Sequence, residues 1–158
     1  MKFISHRGNL SGKILERENT PAYIDEAIAE CSFVEVDLRY SKSRLFLGHD
    51  NAENEVDQNW LFERKQNLYI HAKDLKTIQY LHSLNAGLNF FFHAEDDCTI
   101  TSRGEIWVHP RAHPIANTIF VMPEYFGFEI SDMLQCAGVC TDDVLYYRKS
   151  YNDSRKSP

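Results

Sequence analysis

The feature that most constrains the fold is the stretch Phe33-Val34-Glu35-Val36-Asp37-Leu38-Arg39-Tyr40. Val34, Val36 and Leu38 alternate with Glu35, Asp37 and Arg39, and period-2 alternation marks a β-strand. The rise of a strand sets the two carboxylates on one face, about 6.5 Å apart at Cα. Like charges that close repel, so a cation lies between them or one of them takes a proton. Mg²⁺ and Ca²⁺ favour carboxylate oxygens. An isolated Glu-x-Asp pair also suits an exposed, salt-bridged strand face. The company this strand keeps decides between the two readings.

The flanking sequence gives a strand, a helix and further strands. Lys2–Ser5 reads as a strand that delivers His6-Arg7-Gly8 at its end. Thr20-Pro21 opens a helix, with Thr as N-cap and Pro in the first turn. Ile24, Ala27, Ile28 and Cys31 recur on its inner face. Leu45–Gly48 is a short strand ending in His49-Asp50, and residues 51–67 form a polar excursion over part of the rim. Leu68–Lys73 is another strand, followed by an amphipathic helix over Leu75–Leu84 that closes at Asn85-Ala86-Gly87 with a Gly cap. Leu88–His93, Glu105–His109, Thr118–Met122 and Ala137–Cys140 complete the strands. The tail from Lys149 is polar and expected to fray.

Strand-helix-strand at the front implies parallel pairing through a right-handed crossover. Polar, chemistry-bearing residues then recur at strand C-termini: His6-Arg7, His49-Asp50, His71 with Lys73, His93, His109 and Thr141-Asp142. A (β/α)₈ barrel assembles its site there. The chain's 158 residues fall short of the ~250 of such a barrel. The expectation is therefore one α/β domain over residues 1–148, with a tail over 149–158. Its fold would be a reduced (β/α) TIM-type barrel in which loops replace several crossover helices.

Apolar content of 43% and aromatic content of 13% belong to a globular chain. A net charge of −6 weighs against nucleic acid or an anionic membrane as partner. Cys31, Cys98, Cys136 and Cys140 form no C-x-x-C pair, which fits reduced, mostly buried thiols rather than a zinc knuckle. No run approaches the ~20 apolar residues of a membrane helix. A soluble, cytoplasmic protein is expected.

His6-Arg7-Gly8, Glu18-Asn19-Thr20, Glu35-Val36-Asp37, Gly48-His49-Asp50, Lys73 and the run Gly138 to Asp142 occur in that order. Together they resemble the glycerophosphodiester phosphodiesterase family, part of the phospholipase-C-like phosphodiesterase barrels. The resemblance is firm over the first fifty residues, fair over 68 to 75 and loose beyond. It implies a divalent metal held by Glu35 and Asp37, with Glu18 either joining the metal shell or orienting Arg7. The family's third acidic ligand falls on His71, a departure that weakens Mg²⁺ and Ca²⁺ and favours Mn²⁺ or Zn²⁺. The resemblance assigns the acid and base to His6 and His49. A histidine pKa near ~6.5 suits either role. Arg7 and Lys73 would neutralise phosphoryl charge. The implied activity is hydrolysis of a small, soluble phosphodiester. The rival expectation is an inactive barrel that binds a phosphorylated ligand or a protein partner, and a multi-histidine zinc hydrolase is a third. His93 with Glu95, Asp96 and Asp97 reads either as support around the site or, in preference, as a solvated acidic loop, and His109 and His113 as loop residues. Trp107 and Phe90–Phe92 read as core, with Glu124 and Asp142 as lesser candidates for the site.

Overall fold

The computed structural model describes residues 1–109 and 111–156. It is a mixed α/β fold built on one curled, half-barrel sheet with few helices. The strands are β1 (Lys2–His6), β2 (Phe33–Ser41), β3 (Arg44–Leu47), β4 (Asn54–Val56), β5 (Leu68–Ala72), β6 (Phe90–Phe91), β7 (Cys98–Ile100), β8 (Ile106–Val108), β9 (Ile119–Val121) and β10 (Gly138–Thr141). The helices are α1 (Pro21–Cys31), α2 (Gln58–Glu63), α3 (Leu75–Leu84) and α4 (Val144–Ser154). The order β6-β5-β2-β1-β10-β9-β8 is parallel throughout. β7 lies antiparallel on β8, and the β3-β4 hairpin extends β2 beyond the end of β1. The far edge curls back toward β6: Ser102 N–H donates to Phe90 O at 2.7 Å, and Thr99 Oγ1 donates to Phe92 O at 2.8 Å.

Alternation along each strand divides the residues between two faces. Outward-facing Val34, Val36, Leu38 and Ile70 pack with Ile24 and Ala27 of α1 and Leu81 of α3. Burying one such side chain contributes about 1.5–3 kcal/mol. A second outer cluster joins Phe3, Phe120 and Val139 to Val144 and Tyr147 of α4. The concave face is filled by Ile4, Tyr69, Phe91, Trp107, Ile119, Val121 and Cys140. Below them, Lys2 Nζ meets Glu105 Oε1 at 2.6 Å and Tyr69 Oη at 3.1 Å, closing the N-terminal end of the strands. The C-terminal end is left to polar residues.

Several local expectations need correction. Residues 51–67 do not merely cover the rim: they form β4 and α2, and Val56 and Leu61 belong to the core. Thr20 stands at the N-cap position of α1, but its hydroxyl donates to Arg17 O and caps nothing. α3 is closed by left-handed Asn85 rather than by Gly87. The polar tail is helical, because α4 runs to Ser154 and Tyr151 packs edge-on against Phe3 at 5.7 Å. Only Ser157 and Pro158 of that tail lie outside the described residues. β7 was hidden in the sequence by the acidic run before it. All four cysteines are free, yet only Cys136 and Cys140 are buried. Among the described residues, no helix is long and apolar enough to cross a membrane.

Candidate functional site

Two glycines fix how the histidines are presented. After His6, Arg7 and Gly8 both take left-handed conformations, and Asn9 N–H closes the turn on His6 O at 2.9 Å. A Cβ on Gly8 would stand 2.7 Å from the Tyr23 ring, so no larger residue fits. At the other loop, a Cβ on Gly48 would fall 2.1 Å from Asn51 O. Arg39 grips this loop, donating to Gly48 O at 3.2 Å and also to His49 O.

Glu35 and Asp37 are both buried, on the concave face of β2. Strand register sets His71 of β5 beside Asp37. His71 Nδ1 lies 3.2 Å from Asp37 Oδ1 and 3.8 Å from Glu35 Oε1. One ligand atom from each of the three residues lies within 4.8 Å of the others. On its other oxygen Asp37 meets Arg7 Nε at 2.8 Å and accepts from Asn19 Nδ2 at 3.0 Å, while its own N–H donates to Asn19 Oδ1 at 3.0 Å. Burial alone would push the Asp37 carboxyl up. The His71 imidazole and the charges of Arg7 and Lys73 outweigh it and hold Asp37 well below the usual range. Glu35 goes the other way: burial and the Asp37 charge raise it, and His6 and Arg7 offset this only in part.

Glu35 Oε2 and Asp37 Oδ1 are buried without a hydrogen bond. Lys73 Nζ lies 3.1 Å from Asp37 Oδ1, an ion pair by distance without hydrogen-bond direction. Two carboxylate oxygens lacking donors, with an imidazole nitrogen beside them, are a donor set that could hold a divalent cation.

His6 Nδ1 pairs with Asp142 Oδ1 at 2.8 Å, and its Nε2 faces Glu35 Oε2 at 3.9 Å. Asp142, just after β10, is held by Asn9 Nδ2 at 2.8 Å and Tyr125 Oη at 3.2 Å, and its N–H donates to Glu124 Oε1 at 2.8 Å. Burial works against charge on His6, but the Asp142 bond and the Glu35 charge leave its pKa raised. His49 is 43% exposed and meets Asp50 Oδ1 through Nδ1 at 2.8 Å. Partial burial and the Arg7 charge lower its pKa.

These groups border one cavity of about 330 Å³. His6, Arg7, Glu35, His49 and His71 line one part of it, and Phe91, Trp107, Val121 and Met122 line another. Asp37 and Lys73 reach the cluster through the contacts above. Glu18 stands apart from the Glu35-Asp37-His71 group. Its carboxylate accepts from Arg7 Nη1 at 3.2 Å and Asn9 Nδ2 at 2.8 Å, contacts that fit the orienting role for Arg7.

Four residues gained roles the sequence reading did not give them. Asn19 lay inside the Glu-Asn-Thr motif, but nothing in the motif says that its amide brackets Asp37. Asn9 and Tyr125 carry no motif, and Asp142 was one strand-end carboxylate among several. His93 is half-buried rather than solvated: its ring stacks on His71 at 4.5 Å, and the Phe91 ring lies 5.1 Å from His71 and 6.1 Å from His93. Burial, with His71 and Lys73 nearby, takes the His93 pKa down to about 4. Its signal was the two-residue step from inward-facing Phe91, obscured by the Glu95–Asp97 run. His109 also borders the cavity. No protein family matches this chain, and no curated protein or solved structure matches it either.

Proposed function

We propose that this chain is a metal-dependent phosphodiesterase of the glycerophosphodiester phosphodiesterase type, built on a reduced (β/α) barrel. The convergence of His6, Arg7, Glu35, His49 and His71 on one cavity carries the reading. The parallel strand order and the site's position at the strands' C-terminal ends support the barrel. Four free thiols favour a reducing compartment, the cytoplasm.

Glu35, Asp37 and His71 would hold the divalent cation, which when bound supplies positive charge against the phosphoryl oxygens. Mn²⁺ or Zn²⁺ suit the imidazole better than Mg²⁺ or Ca²⁺ do. Arg7 is anchored by Asp37 and Glu18, which leaves further N–H groups for the phosphate. His6, charged and oriented by Asp142, gives its Nε2 proton to the departing alkoxide as the P–O bond breaks. His49, kept neutral by its surroundings, takes a proton from the attacking water or substrate hydroxyl. Glu124 and Tyr125 position Asp142.

One observation favours the rival reading of a phosphoryl-binding module without turnover. Lys73 already supplies a cation to Asp37 Oδ1 at 3.1 Å. The test is hydrolysis of bis(p-nitrophenyl) phosphate by metal-stripped protein re-supplied with Mg²⁺, Ca²⁺, Mn²⁺ or Zn²⁺. Restored activity that Glu35→Ala and His49→Ala both abolish supports the enzyme. Activity retained in both variants refutes this site, and a folded protein inert with every metal turns the reading to the binding module.

A further inference from the structure

Lys73 sits where a cation would. Its Nζ lies 3.1 Å from Asp37 Oδ1 and 3.4 Å from His71 Nδ1, and both atoms belong to residues that could hold a metal. The Lys73 side chain is 12% exposed, so its charge is held in the site rather than in solvent. The single lone pair of His71 Nδ1 cannot serve an ammonium and a divalent cation at once, and the two charges repel across Asp37 Oδ1. Asp37 Oδ2, in contrast, accepts from Asn19 and lies 2.8 Å from Arg7 Nε, so Lys73 meets Asp37 at Oδ1.

We propose that Lys73 is a resident counter-cation that a divalent metal must displace, and that the displaced ammonium serves as a binding group for a phosphodiester monoanion in the adjoining cavity. Metal and anion binding are then positively coupled. A metal frees Lys73 for the anion, and an anion that draws Lys73 away opens Asp37 and His71 to the metal. Linkage requires the two effects to be equal. In the free protein the same lysine partly neutralises the buried Asp37 carboxylate. The inference rests on the metal-site reading above and adds the regulation of that site.

Mn²⁺ binding, read from the loss of the free-ion paramagnetic resonance signal, tests this without any turnover. Dimethyl phosphate serves as the diester probe. Wild type should bind Mn²⁺ several-fold more tightly when dimethyl phosphate is saturating, within the range of about 5- to 150-fold usual for coupled sites. Lys73→Met should bind Mn²⁺ on the order of tenfold more tightly than wild type without the probe, and should show no response to it. Lys73→Gln repeats the measurement should the methionine variant fold poorly, and Glu35→Ala identifies Mn²⁺ bound elsewhere. Wild type that binds Mn²⁺ while the neutral Lys73 variants bind it equally or more weakly overturns the proposal and leaves the metal site standing. Wild type and the neutral variants all failing to bind Mn²⁺ overturns both.

Discussion

Asn19 should be among the most sensitive positions in the chain, although it touches neither cavity nor cation ligand atoms directly. Its amide makes two buried bonds to one residue, Nδ2 to Asp37 Oδ2 and Oδ1 to the Asp37 N–H, each 3.0 Å. Asn19→Ala strands that N–H, which costs about 1–3 kcal/mol, and removes a charge-assisted bond worth about 1.5–3 kcal/mol. Asn19 also holds a left-handed φ of 56°, where alanine pays about 1 kcal/mol more. The sum is about 3.5–7 kcal/mol, centred near about 5, or a fall in Tm of about 10–20 °C for a chain of this size. Urea unfolding followed by tryptophan fluorescence measures it, and the m-value should not change. Asn19→Gly keeps the bond loss but relieves the backbone, so it should recover about 1 kcal/mol of the deficit. A loss below about 1 kcal/mol in Asn19→Ala would refute the argument that this amide fixes Asp37.

The paired carboxylates predict opposite pH responses. The lowered Asp37 pKa contributes stability above its unfolded value, near ~3.9, that is lost as pH falls through the folded one. Asp37→Asn should therefore cost about 3–5 kcal/mol at pH 7 and much less in acid. The raised Glu35 pKa costs stability as pH rises from its unfolded value, near ~4.3, through the folded one. Glu35→Gln should thus stabilise the metal-free protein at pH 7 by about 0.5–2 kcal/mol, while abolishing stabilisation by added Mn²⁺ in thermal melts. His6 contributes stability below about pH 6.5 that disappears as pH rises through its raised folded value. Asp142→Asn should flatten that dependence, lower the His6 midpoint in imidazole NMR and reduce kcat by about 10²–10⁴-fold. The His93 ring, at about 4, should show no titration between pH 6 and 8 in the same spectra.

Period-2 alternation made β1, β2 and β5 legible, because their inward and outward faces differ sharply in polarity. It also set Glu35 and Asp37 on one face, while strand-end position grouped His6, His71 and Lys73 before any packing was known. α1 and α3 were legible from apolar spacing. The short strands β7 and β8 were harder: Ile100 and Ile106 pair on an exposed face, so their hydrophobicity does not report burial. α4 was missed because its buried positions, Val144 and Tyr147, are few and the rest of the helix is polar. The supports of the site escaped for a different reason. Asn9, Asn19 and Tyr125 act through contacts 9 to 133 positions away in sequence, and a linear pattern does not encode such contacts. Glu18 was read either as part of the metal shell or as the partner of Arg7, because a motif cannot tell a guanidinium from a metal ion; its carboxylate meets Arg7 and Asn9.

The most direct test of the central claim is ³¹P NMR of a glycerophosphodiester incubated with the Mn²⁺-loaded protein, with His6→Asn alongside. The account predicts that the diester resonance is replaced by a phosphomonoester or cyclic phosphate signal with wild type and persists with His6→Asn. A diester resonance that wild type leaves unchanged, or that His6→Asn consumes at the wild-type rate, would contradict it.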